Sequence, residues 1–196
     1  MSASRRFSHA IAEGDGISVV AAVEDADAAR AAEAQRAEAL VVTDDPARLR
    51  EATRLPVLWR ATTAVDRAAG VADAVTLTLP EDEDEDHEPA RRRHEEALAA
   101  GLDCAVEVRS EEELERALEL LDPEIFLLVP PPSDEEEPLE AVLELLAEVP
   151  AGKLAIADVA VTTEDEVHEL ERAGVDAVIV HAADVSPLVG EAPPEV

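Results

Sequence analysis

Short apolar runs alternate along this chain with polar stretches that carry an apolar residue every three or four positions, and one span shows the unit in full. In Gly101 to Leu121, GLDCAVEVRSEEELERALELL, a polar turn leads into an apolar strand from Cys104 to Val108, after which Ser110 opens an amphipathic helix. Ser110 and Glu113 stand at capping-box spacing: the hydroxyl accepts from an early helix N–H and the carboxylate reaches back to the cap's own N–H. Leu114, Ala117, Leu118 and Leu121 form one apolar stripe. Glu107 interrupts the strand between Val106 and Val108, where a buried strand would carry another aliphatic side chain, and is the best functional lead in the chain.

The same unit recurs from end to end. A leading helix, Ser4 to Glu13, sets Phe7, Ala10 and Ile11 on one side and stops at Gly14 and Gly16. Strands are predicted at Ile17 to Val23, Ala39 to Thr43, Pro56 to Ala61, Ala74 to Leu79, Cys104 to Val108, Ile125 to Val129, Leu154 to Val159 and Ala177 to His181. Between them fall helices at Asp25 to Arg36, Asp45 to Arg54, Ala64 to Ala69, Glu88 to Ala100, Ser110 to Leu121, Leu139 to Glu148 and Thr163 to Ala173. Pro46 suits the first turn of its helix. The acidic run Glu81 to Asp86 is expected to be a solvated loop, and the proline and acid cluster Pro130 to Pro138 leads into the helix from Leu139.

Eight strand–helix units point to an α/β fold, either a closed (βα)8 barrel or a doubly wound open sheet. No GxGxxG or phosphate-loop motif follows any strand, and eight is the number at which a barrel closes, so the closed barrel is expected. It is compact, with short βα loops, and spans residues 1–196 as one domain, 1–16 being a short N-terminal helical extension. After the eighth strand DVSPLVGEAPPEV offers at most one helical turn, so the eighth helix is truncated or missing. The gap this leaves beside the helix after strand one is filled by the leading helix and a tail containing Leu188 and Val189, giving a monomer, or by a second copy, giving a homodimer.

Composition narrows the function classes. Apolar residues make up 47% of the chain and aromatics 2%, so the core is aliphatic and stacking on bases or sugars is not expected. Against 47 acidic side chains stand 16 basic ones, a net charge of -31 that repels nucleic acid and anionic membranes. Lys153 is the sole lysine, and an acid excess carried with so little lysine suits a halophilic protein whose self-repulsion is screened by concentrated salt. Cys104 has no partner for an intramolecular disulfide, no apolar run reaches membrane-span length, and the N-terminus lacks a signal-peptide core, so a cytoplasmic location is expected.

The stretches SRRFSHAIAEGDGISVVAAVE, AEALVVTDDPARL, LPVLWRA, ADAVTLTL, GLDCAVEVRSEEELERAL and LAIADVAVTTEDEVHELERAGVDAVIV together resemble indole-3-glycerol-phosphate synthase. The resemblance implies a TIM barrel with the strands in the order read above, and a carbon–carbon lyase of tryptophan biosynthesis. Position by position, the family's strand-five glutamate is Glu107, its strand-three lysine falls on Arg60, and its strand-seven glutamate on Asp158. The family's strand-one Glu and Lys correspond to Ala22 and Glu24, its strand-six asparagine motif to Leu128 and Val129, and its glycine after strand eight to His181. The loops after strands one and two lack the Ser, Pro and Gly residues that cover the family's substrate, and the strand ends carry Glu24, Asp25, Asp44, Asp45, Glu81 to Asp86 and Asp134 to Glu137, an acidic surround for a phosphorylated ligand.

Three readings of the polar residues stay open. In the leading one the chain is a pseudoenzyme or minimal scaffold for an unidentified small-molecule ligand, and Arg60 compensates carboxylates inside an ion network. In the second it is an active lyase, with Glu107, Arg60 and Asp158 catalytic and Glu24 and His181 contacting substrate. In the third it is a barrel whose loops were trimmed, naturally or by engineering, with no present ligand. No cofactor is called for, and no local ligand motif supports a metal at Glu24, Glu107, Asp158 and His181. Trp59 is expected to point outward into the helix layer, Cys104 to be a core residue, and His87 and His94 to be exposed.

Overall fold

The computed structural model describes residues 6–13, 16–60, 65–80, 86–132, 137–181 and 183–188. Its strands are β1 (Ser18–Ala22), β2 (Ala39–Val42), β3 (Val57–Trp59), β4 (Ala74–Thr78), β5 (Asp103–Val108), β6 (Ile125–Leu128), β7 (Leu154–Ala157) and β8 (Ala177–Val180). Every strand is parallel to its neighbours, and β8 returns to pair with β1, so the sheet closes as a TIM barrel. The helices are α1 (Arg6–Ala12), α2 (Ala26–Ala34), α3 (Val65–Ala68), α4 (Glu88–Ala99), α5 (Glu111–Leu120), α6 (Pro138–Ala147) and α7 (Glu164–Ala173), with a 3₁₀ helix, η1 (Pro46–Glu51), after β2.

Closure explains the near-continuous aliphatic strands, because each is buried on both faces. Inward strand positions mix alanine (Ala39, Ala74, Ala105, Ala177) with larger aliphatic residues such as Leu58, Leu127, Ile156 and Ile179, which fill a narrow interior. Outward positions, Trp59 and Cys104 among them, pack under the helices, as the alternation predicts. Helix α1 does not fill the helix ring: it inserts Phe7 and Ile11 into the base of the barrel interior, and the Ser8 N–H donates to Asp103 Oδ2 at 2.7 Å.

At that base a carboxylate just before an even-numbered strand repeatedly clasps the preceding odd-numbered one. Val19 N–H donates to Glu38 Oε2 (3.1 Å), Val57 N–H to Asp73 Oδ2 (2.9 Å) and Ala155 N–H to Asp176 Oδ2 (2.8 Å). In each case the acid's own N–H returns a bond to the same residue's carbonyl. Each clasp satisfies a backbone donor where the strand begins, before the ladder can.

Several local expectations shift. The second helix is 3₁₀ because its buried residues, Pro46 and Leu49, lie three apart, the spacing that such a helix stacks. Ser110 caps α5 by accepting from Glu113 N–H, but the Glu113 carboxylate accepts from the Arg109 N–H at 2.8 Å instead of closing the box on Ser110. Thr163 and Glu166 form the full capping box on α7, which ends at Gly174 with φ 99°. His94, expected to be exposed, is buried: it shares the inward face of α4 with Ala90 and Ala97, and desolvation lowers its pKa. His87 is half-buried at the N-cap of the same helix.

Among the described residues no helix follows β8. The tail covers the gap instead, with Val185 and Leu188 buried and the Val185 N–H donating to Gln35 Oε1 at the end of α2 (2.8 Å). Leu98 is the one large apolar side chain exposed among the described residues. Val189, Glu81 to Glu85 and Asp134 to Glu136 lie outside the described residues.

Candidate functional site

The carboxyl ends of the strands carry a chain of alternating charges. Arg60 follows β3, and its backbone N–H donates to Val42 O at 2.7 Å, extending the β2–β3 ladder by one residue. Neighbouring Trp59 is pinned outside the barrel by Nε1–H to Thr43 O (3.2 Å) and by the Arg67 guanidinium over its ring at 5.7 Å. With the strand end fixed on both sides, the Arg60 side chain runs inward. Its Nη2 and Nε donate to Glu107 Oε2 at 3.1 and 3.3 Å, and its Nη1 to Asp158 Oδ2.

Both carboxylates have a further partner. Arg109 Nη2 donates to Glu107 Oε1, and His181 Nε2 lies 2.8 Å from Asp158 Oδ1. The order across the mouth is therefore Arg109, Glu107, Arg60, Asp158, His181, drawing on the ends of β5, β3, β7 and β8. Side-chain exposure runs from 7% for Glu107 and 10% for Asp158, through 22% for Arg60 and 32% for Arg109, to 57% for His181. The acids are thus buried beneath their basic partners.

The chemistry follows from that pairing. Burial pulls the Arg60 guanidinium down, but the charges of Asp158 and Glu107 and their hydrogen bonds outweigh it and hold Arg60 above its ordinary value. A guanidinium so placed neither gives nor takes a proton at neutral pH; it acts as a fixed positive charge. The two guanidinium groups match the two carboxylates, so the inward groups are balanced although the whole chain is strongly acidic. Cys104, on the outer face of β5, is pushed up to about 12 by burial and then by the charge of Asp103, which makes it an inert thiol.

Four of the residues selected from sequence, Glu107, Arg60, Asp158 and His181, come together, and Glu24 does not. Glu24 is exposed and lines a separate cleft of about 800 Å³ with Asp25, Asp27, Asp44, Asp45, Arg30 and Arg48, between the turns that follow β1 and β2. The acidic surround read from the sequence is real on that side, while the centre is balanced. Sequence reasoning missed Arg109, whose signal was its position two residues beyond Glu107, on the same face of an extended strand. Among the described residues no three His, Cys, Asp or Glu side chains converge as a metal ion would need.

Fold and site together define a (βα)8 barrel with a self-paired charged cluster at the end where such barrels place their chemistry. The chain is similar to curated indole-3-glycerol phosphate synthases. That of Polaromonas naphthalenivorans (strain CJ2) is 40% identical over 90 residues, covering 45% of this chain and 34% of the relative. That of Variovorax paradoxus (strain S110) is 38% identical over 96 residues, covering 48% and 36%. That of Albidiferax ferrireducens is 37% identical over 121 residues, covering 60% and 43%. The matched part thus spans less than half of each relative's length. No protein-family model matches the chain. Among solved structures, N-acetylmannosamine-6-phosphate 2-epimerase from Clostridium perfringens superposes with a TM-score of 0.70 at 16% identity, covering 87% of this chain and 88% of that one. A 2,3-dimethylmalate lyase gives 0.67 at 15% identity, covering 95% and 84%. At such identities the likeness is one of fold.

Proposed function

We propose that this chain works as one barrel domain of the indole-3-glycerol-phosphate synthase type that has lost the lyase chemistry and serves as a scaffold or pseudoenzyme for a small-molecule ligand. The observation that carries the reading is the pairing of Glu107: Arg60 and Arg109 occupy its two oxygens, and Arg60 also ties up Asp158. A general acid or base needs an oxygen free to meet substrate, and a mobile proton of suitable pKa beside it. Arg60, at the position of the family's lysine, supplies only fixed charge.

The second reading, an active lyase using Glu107, Arg60 and Asp158, is favoured by the convergence of those groups with His181 at one mouth. Assaying the formation of indole-3-glycerol phosphate separates the two. The scaffold reading expects no product above the no-protein control. Turnover that disappears in Glu107→Gln would overturn it.

A further inference from the structure

We propose that Arg109 is a positioning residue that masks Glu107 from ligand, a contact made between strand β5 and its first following residue; this rests on the non-catalytic reading above. Glu107 and Arg109 lie two apart on an extended segment and so share the inward face. Arg109 Nη2 takes Glu107 Oε1 while Arg60 takes Oε2, and at 7% exposure solvent reaches the carboxylate poorly. The two arginines are not equivalent. Arg60 bridges two carboxylates on different strands and cannot leave without opening both pairs. Arg109 holds one, and it is the more exposed of the two. Its backbone is anchored by the N–H that donates to Glu113 Oε2 at 2.8 Å, so the side chain can withdraw while β5 stays in place.

Withdrawal of Arg109 leaves Glu107 Oε1 as a buried acceptor facing the mouth. The ligand chemistry suited to it is a cationic nitrogen donor, an amine or amidine that replaces the guanidinium it displaces. Arg109 thereby sets which ligands Glu107 can meet without itself touching them.

The test uses the full chain and a water-soluble carbodiimide with an amine nucleophile, reading the modification rates of Glu107 and Asp158 by peptide mass spectrometry. In Arg109→Ala, Glu107 is expected to react on the order of tenfold faster, the factor carried by one lost hydrogen bond to a charged group. Asp158, held by Arg60 and His181, serves as the internal reference and keeps its rate. Arg109→Lys, and methylguanidinium added to Arg109→Ala, are expected to restore protection. Equal Glu107 rates in the wild type and Arg109→Ala would overturn the proposal, as would a parallel rise at Asp158, which signals general loosening. Product formation by the wild-type chain in the lyase assay would instead overturn the reading on which the proposal rests, leaving these rates as the separate measure of the contact.

Discussion

Removing the Arg60 guanidinium strips the shared cation from two carboxylates at once. Arg60→Met retains most of the apolar stem, so the change isolates the charge and its hydrogen bonds. Breaking a buried pair by deleting one partner costs about 3–5 kcal/mol, whereas an exposed pair is worth about 0–1. Arg60 is 22% exposed, and each acid keeps one other partner, Arg109 or His181, so the loss falls between these limits. We expect about 2–3 kcal/mol.

Urea unfolding measures it, with the fluorescence of the single tryptophan, Trp59, and far-ultraviolet circular dichroism followed together at fixed KCl. With a urea slope of about 2 kcal/mol/M the midpoint should fall by roughly 1–1.5 M. Adding Glu107→Gln to Arg60→Met should recover part of the loss, since two carboxylates facing the one remaining guanidinium, Arg109, are reduced to one. A midpoint within about 0.2 M of wild type, or a double variant no better than the single, would refute the assignment of Arg60 as the charge that holds the mouth together.

Other predictions are independent of the mouth. Burial raises the Asp176 carboxyl against the opposing bonds from Ala155 and its own backbone, so its ionisation opposes folding, and its contribution weakens as pH rises from the ordinary Asp range through the folded value. Asp176→Asn, which keeps an acceptor for Ala155 N–H, should therefore be neutral or stabilising at pH 7 with an advantage that vanishes in acid, whereas Asp176→Ala should cost about 1–2 kcal/mol by denaturant titration. Glu166 is held below its ordinary range by the N–H groups of Thr162 and Thr163, so the stability it adds is present above the ordinary Glu value and lost as pH falls through the folded one. Glu166→Gln should thus differ from wild type at pH 7 and converge with it in acid, while Thr163→Ala costs about 1 kcal/mol. With a net charge of -31, the melting temperature should rise in molar KCl; no rise would sink the halophilic reading.

The order of elements was written in the chain itself, because period-two and period-3.6 patterns are local properties of neighbouring side chains. Counting eight units pointed to a barrel, and the cap at Ser110 marked where its helix begins. Glu107 stood out for the same local reason, as a charge among aliphatic neighbours. What a carboxylate pairs with is a long-range matter. Arg60 reaches acids 47 and 98 residues away, and only closure of the sheet brings those strand ends to one mouth. The acid–alanine pairs Glu38-Ala39, Asp73-Ala74 and Asp176-Ala177 were visible, but their clasps depend on the register between neighbouring strands. Closure likewise sent α1 into the barrel base and left Val185 and Leu188 to cover the gap, since the open end of the interior, and not only the helix ring, offered apolar surface to bury. The sequence alone determined the units and the out-of-place charge at Glu107; the tertiary structure decided that this charge is paired.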